Sequence, residues 1–172
     1  LRECTLGIFG LGDIGCAVAR RAAAFGMRIL GVDPNPSAGR MAAELGVVPA
    51  SLETLLRESD FVTLHADLRL DNRCMVDAAR IALMKPTAVL INTARGDLVD
   101  EGALVSALRD GRIAGAALDV FHEEPLPADS PLRGLANVYL SPHNANASLA
   151  AAERVHANTI RNLLAGLEAR AR

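Results

Sequence analysis

Lysine is almost missing from this 172-residue chain: Lys85 stands alone beside 17 arginines, a bias we read as genome composition rather than function. Aromatic residues are nearly as scarce, four Phe and one Tyr, so any core must be packed mainly from Ala, Leu and Val. The three cysteines, Cys4, Cys16 and Cys74, are odd in number and show no C-x-x-C spacing. That suggests neither a disulfide framework nor a zinc site; no metal is expected, and the thiols read as small buried hydrophobes in a reducing cytoplasm. No stretch reaches the roughly 18 consecutive apolar residues of a membrane span. The first residues lack the charged start, apolar middle and small-residue cleavage site of a secretory leader, so the expectation is a soluble, cytoplasmic protein without membrane contact. A formal charge of −2 argues against a broad nucleic-acid surface.

What is present is a chain of one-core length, 51% hydrophobic, in which apolar runs alternate with helical patterns. Strands are predicted at Thr5–Phe9, Arg28–Val32, Phe61–His65, Ala88–Asn92, Gly115–Val120 and Val138–Leu140. Helices are predicted at Ile14–Phe25, Ala38–Leu45, Leu52–Arg57, Ala78–Met84, Glu101–Arg109 and Ser148–Leu167. Short apolar strands separated by helices imply a parallel sheet covered on both faces. Right-handed crossovers then favour a doubly wound α/β arrangement, with ligands at the carboxyl ends of the strands. Punctuation agrees: Gly26 and Gly46 follow predicted helices, Ser51 with Thr54 offers half a capping box, and Asp100 precedes a helix ending near Gly111.

Gly10-Leu11-Gly12-Asp13-Ile14-Gly15 is a G-x-G-x-x-G that follows an apolar strand and opens a helix. Gly10 permits the tight turn, Gly12 lets backbone approach a pyrophosphate, and Gly15 lets helix and strand pack closely. The helix N-terminus presents unpaired N–H groups and a partial positive charge to the phosphates. Asp33 ends the second strand, 18 residues beyond Gly15, where a carboxylate can accept from ribose hydroxyls and repel a 2′-phosphate. These features read as a Rossmann dinucleotide site with NAD preferred over NADP. Asp13 must point to solvent or weaken binding, because its charge lies near the pyrophosphate.

Three later stretches each place ionisable groups just past a strand: Ile91-Asn92-Thr93-Ala94-Arg95-Gly96-Asp97-Leu98-Val99-Asp100-Glu101, Ala116-Ala117-Leu118-Asp119-Val120-Phe121-His122-Glu123-Glu124-Pro125-Leu126, and Leu140-Ser141-Pro142-His143-Asn144-Ala145. With the glycine turn, they resemble the D-2-hydroxyacid dehydrogenases in order and spacing, over essentially the whole chain. The resemblance implies that Arg95 binds the substrate carboxylate and carbonyl, that His143 is the general acid/base, and that Glu124 is its partner. It also implies that Asp119 faces the nicotinamide carboxamide, while Thr93, Ala94 and His65 line the cofactor cleft. A homodimer formed through the nucleotide domain is implied as well. The chain departs from the family after His65, where Pro-Leu-Thr is usual and Asp67-Leu68-Arg69 stands, with Asn72 in place of a common Thr. Asn144 and Asn146 depart similarly beside His143.

The residue types suit that chemistry on their own terms. Reducing a 2-oxo acid sends a hydride to carbon and a proton to the carbonyl oxygen. Arg95 offers a permanently charged planar fork for a carboxylate. His143 can donate the proton or, when neutral, accept one in reverse, and a neighbouring Glu124 favours its charged form and fixes the ring. His122 and Glu123 are expected to be solvated loop residues, and His156 a packing or surface histidine. A full family member carries a second, smaller substrate domain built mostly from preceding residues. Residues 1–172 are therefore expected to be the nucleotide-binding domain alone, weakly active or inactive without a closing lid, and the last helix to expose an apolar face. An alternative is an NAD-responsive binding module of the C-terminal binding protein type. A β-hydroxyacid dehydrogenase is disfavoured, because its catalytic Lys lies on a helix beyond the Rossmann domain and the only Lys here is Lys85.

Overall fold

The computed structural model describes residues 1–170. Seven strands, all parallel, form one sheet: β1 (Thr5–Phe9), β2 (Arg28–Val32), β3 (Val47–Pro49), β4 (Phe61–Leu64), β5 (Val89–Asn92), β6 (Gly115–Leu118) and β7 (Val138–Leu140). Their order is β3-β2-β1-β4-β5-β6-β7. The six helices are α1 (Asp13–Ala24), α2 (Pro36–Ala43), α3 (Leu52–Glu58), α4 (Ala78–Ile81), α5 (Glu101–Arg109) and α6 (Leu149–Arg170). The doubly wound architecture expected from the alternation is thus present.

The strand order decides where a ligand can go. From β1 the chain winds outward through β2 to β3, then α3 returns it to β4 on the other flank of β1. Neighbouring connections therefore leave β1 and β4 in opposite directions, and a crevice opens at their carboxyl ends. Leu6 pairs with Ile29 on one side and Phe61 on the other, which makes β1 the central strand of this switch.

Both faces of the sheet are covered. Ile29 belongs to a cluster with Leu6, Ile8, Cys16, Ala19 and Ala22, whereas its neighbour Leu30 belongs to a larger one with Leu55, Leu56, Leu90 and Leu104. Adjacent residues of a strand point to opposite faces, so one strand feeds two cores. The helix caps expected from sequence are made: Ser51 Oγ accepts from Thr54 N at 3.1 Å, and Asp100 Oδ1 accepts from Ala103 N at 2.9 Å. Gly26, Gly46 and Gly111 all take positive φ after their helices.

Four expectations need correction. The sheet has seven strands rather than six; β3 is only Val47–Pro49, and its proline disguised it as a break. The helix expected over Ala78–Met84 closes at Ile81, because Leu83 and Met84 bond three residues back, to Arg80 and Ile81 carbonyls, tightening the last turn. The final helix runs through Arg170 rather than stopping at Leu167. Cys16 is buried, but Cys74 is exposed with φ +48° and is no core residue. Along α6, Leu149, Val155, Ile160, Leu163, Leu164 and Leu167 are exposed, the unpartnered apolar face anticipated, and His156 lies exposed among them. No helix of the described residues is long and apolar enough to cross a membrane.

Candidate active site

The glycine turn connects β1 to α1 and forms one wall of the switch-point crevice. Gly10 has φ +92°, and a Cβ there would lie 2.6 Å from the His65 carbonyl oxygen at the end of β4. A Cβ on Gly15 would lie 1.9 Å from the Gly10 carbonyl oxygen, so the start of α1 can press on the turn only without a side chain. Gly12 differs, because a Cβ there would meet nothing within 4 Å. Protein packing makes no demand for glycine at position 12; an open cradle beside a helix N-terminus with no side-chain cap suits a phosphate.

Asp33 does two things in this crevice. Its Oδ2 accepts from Leu11 N at 2.7 Å, anchoring the turn, and its Oδ1 accepts from Asn35 N at 2.7 Å. The first of these bonds was not foreseen; it joins residues 22 apart in sequence. Asp13 and Ile14 open α1 and are both exposed, so the Asp13 carboxylate projects into solvent, one of the two arrangements the sequence allowed. His65 lies half-buried on the opposite wall, its Nε2 3.0 Å from Thr63 Oγ1, and burial lowers its pKa and favours the neutral ring. Gly10, Gly12, Asp33 and His65 line a common cleft of about 520 Å³.

The second group of residues gathers at the ends of β5, β6 and β7. His143 Nδ1 lies 2.7 Å from Glu124 Oε2, while Glu124 Oε1 accepts from Phe121 N at 3.0 Å. The bond to His143, followed by that from Phe121, holds the Glu124 carboxyl below the ordinary range. This pairing engages one imidazole nitrogen and leaves Nε2 for chemistry. His143 itself has φ +54°, a left-handed backbone uncommon for a residue with a side chain. The pair adjoins a pocket of about 600 Å³ lined by Phe121, Pro125, Leu126, Leu140 and Pro142.

Asp119 explains how His143 is held there. The residue is buried, with Oδ1 accepting from Asn144 N and Oδ2 from Ala145 N, both at 2.9 Å. Burial raises its pKa, but those two bonds, with Ser141 and the nearby His143, outweigh it and leave the carboxyl lowered. It also lines, with Ile91, Thr93 and Ser141, a small recess of about 190 Å³ at the ends of β5, β6 and β7. Thr93 is exposed at that rim and Ala94 half-buried beside it.

Arg95 sits on the neighbouring loop, exposed, with one guanidinium nitrogen donating to the Ala94 carbonyl at 2.6 Å. The loop is shaped by Asn92, a buried residue whose role was missed: its Oδ1 accepts from Ala94 N at 3.0 Å and its Nδ2 donates to Arg95 O at 2.8 Å. An Asn bonding two residues onward is a readable turn signal. Gly96 then brings this loop against the Glu124 loop, since a Cβ there would lie 2.0 Å from both the carbon and the oxygen of the Phe121 carbonyl. His122 is exposed on its loop as expected, but it also bonds its neighbours. Its Nδ1 bonds Asp97, its backbone N donates to Glu101 Oε2 at 3.2 Å, and Asp97 also takes Arg73. Asp97 accordingly raises the His122 pKa, while Glu123 is exposed as anticipated. Among the described residues no cluster of His, Cys, Asp and Glu could hold a metal ion.

The chain is similar to known proteins. The pattern defining the NAD binding domain of D-isomer specific 2-hydroxyacid dehydrogenases matches residues 1–145. The glyoxylate reductase of Korarchaeum cryptofilum is 50% identical over 161 residues, 94% of this chain and 48% of that protein. The (S)-sulfolactate dehydrogenase of Chromohalobacter salexigens is 42% identical over 167 residues, 97% of this chain and 54% of that protein. The crystal structure of D-lactate dehydrogenase from Aquifex aeolicus, complexed with NAD and lactic acid, superposes with a TM-score of 0.83 at 34% identity, covering 98% of this chain and 54% of that one. The chain spans about half the length of the curated relatives it matches.

Proposed function

The chain belongs to the D-isomer specific 2-hydroxyacid dehydrogenases, as their NAD-binding domain, and from that premise we propose that it serves hydride transfer between NAD(H) and a small D-2-hydroxy acid/2-oxo acid pair. The observation that carries this reading is the His143–Glu124 pair, 2.7 Å apart, on the same edge of the sheet as the glycine turn. The names borne by relatives, glyoxylate reductase and (S)-sulfolactate dehydrogenase, support a small 2-oxo acid or 2-hydroxy acid as substrate. The family resemblance further supports a homodimer.

The residues fit the cofactor. Gly12 leaves a cradle that a Cβ would fill, the N-terminus of α1 lacks a side-chain cap, and each Asp33 oxygen accepts one backbone N–H and keeps acceptor capacity for a ribose hydroxyl. When bound, the nicotinamide supplies or takes the hydride. The protein's part is binding, orientation and the proton. The Arg95 fork pairs with the substrate carboxylate and draws its 2-oxo group toward the β5–β7 edge. His143 Nε2 gives its proton to the carbonyl oxygen as the C2–H bond forms, and Glu124 steadies the imidazolium through Nδ1. In the oxidative direction the same nitrogen removes the hydroxyl proton.

Calorimetric titration with NADH and NADPH, beside an NADH-absorbance assay with glyoxylate, tests the reading. NADH should bind more tightly than NADPH, and Asp33→Asn, which keeps an oxygen for Leu11 N but removes the charge, should erode that preference. His143→Gln should spare NADH binding and cut turnover by about 10²–10⁴-fold. Measured in the full-length protein, equal turnover by wild type and His143→Gln, or no binding of NADH, would overturn the proposal.

A further inference from the structure

The segment 67–72, where the chain departs from the family pattern, forms part of the wall of the cofactor cleft. Asp67, Arg69, Asp71 and Asn72 line it together with Gly12 and Asp33. The loop is closed on itself: Asn72 Oδ1 accepts from Arg69 N at 2.7 Å, and Asn72 Nδ2 donates to Asp67 O at 2.7 Å. On this base Asp71 grips one side of the Arg69 guanidinium, taking Nε at 3.2 Å on Oδ1 and NH2 at 3.1 Å on Oδ2. That fork uses two of the five N–H donors and leaves three.

The charges lining the cleft give this arrangement its meaning. Asp33, Asp67 and Asp71 are all acidic, and Asp13 opens the adjacent helix. A dinucleotide brings phosphates into the same space, and like charges there repel. Among the described residues lining the cleft, Arg69 is the one permanently charged cation. Asp33 is already engaged with two backbone N–H groups, and His65 is disposed to neutrality by burial. Guanidinium is also the side-chain group best matched to phosphate oxygens.

We propose that Arg69, presented by Asp71 on the loop closed by Asn72, binds a phosphate group of the dinucleotide. This rests on the NAD-binding reading above. Titrations of wild type, Arg69→Gln and Arg69→Lys with NADH, NADPH and adenosine test it. Arg69→Gln should bind dinucleotide about five- to tenfold more weakly, an exposed charge-assisted contact being worth roughly that factor. Arg69→Lys should recover part of the loss, the deficit should shrink at high salt, and affinity for phosphate-free adenosine should not change. Equal losses for NADH and NADPH assign the contact to the pyrophosphate, and a loss for NADPH alone assigns it to the 2′-phosphate; either supports the proposal. Unchanged affinity of Arg69→Gln for both dinucleotides overturns it, as does an equal fall for adenosine, which would mark a structural role. Wild-type protein that binds neither dinucleotide would remove the NAD-binding reading itself, and this contact with it.

Discussion

Replacing Asp119 with Asn exchanges one carboxylate oxygen for an NH2 and should unfasten the histidine turn. Asp119 Oδ1 and Oδ2 accept from Asn144 N and Ala145 N, each at 2.9 Å, from a buried position. An amide there keeps one acceptor and aims an NH2 at the other backbone donor. One charge-assisted bond is lost and one N–H is left facing a donor, a cost of about 2–3 kcal/mol. That is comparable to the strain of roughly 1–3 kcal/mol in holding a residue such as His143 in the left-handed region, so the turn should relax. It is well below the total stability of about 5–15 kcal/mol expected of a domain, so the fold should survive. Hydrogen exchange on the intact protein reads this directly: the Asn144 and Ala145 amides should exchange roughly 30- to 150-fold faster, while strand amides keep their protection. A second consequence follows from the lowered Asp119 pKa. A carboxyl with a lower pKa when folded contributes stability above its unfolded value and loses it only as pH falls through the folded value. The wild-type turn should therefore stay protected at an acidity that protonates an ordinary Asp. Unaltered exchange of the two amides in Asp119→Asn would refute the assignment of this side chain as the fastener.

The other expectations concern the neighbouring loops. Gly96→Ala places a methyl group 2.0 Å from the Phe121 carbonyl carbon and oxygen, so urea denaturation should show a loss of about 1–3 kcal/mol. NADH binding at the glycine turn should change little in that variant, and an unchanged denaturation midpoint would count against the close contact. The His122–Asp97 pair runs in the opposite sense with pH: the raised His122 pKa means its contribution is complete below the unfolded value and is lost as pH rises through the folded one. An NMR titration of the His122 ring should show a midpoint above that of an unstructured peptide histidine, and Asp97→Asn should abolish the difference.

How much of this was legible beforehand depended on whether the cause was local. The apolar runs of β1, β2 and β7 and the caps at Ser51 and Asp100 are short-range signals, and each appears where the sequence placed it. β3 was not legible, because three residues ending in Pro49 acquire strand character only from pairing with β2. The strand-end position of Asp33 was readable, whereas its bond to Leu11 depends on how two loops meet. The same holds for Gly96 against Phe121 and for His122 with Asp97, pairs about 25 residues apart that no periodicity connects. Asn92 is the instructive omission, since its bond to Ala94 N is local and its residue type announces it.

The glycines of the turn differ in what enforces them. Gly10 and Gly15 are required by the polypeptide itself, one by its φ of +92° and both by backbone atoms that a Cβ would strike. Gly12 has an ordinary φ of −71° and empty space where its Cβ would be. A library selected only for folded, soluble protein would purge alanine at the first two positions and let it pass at the third. Selection for cofactor occupancy would remove it there as well. The same letter in one short motif thus records two different pressures, and comparing the two selections would separate them without a ligand-bound structure.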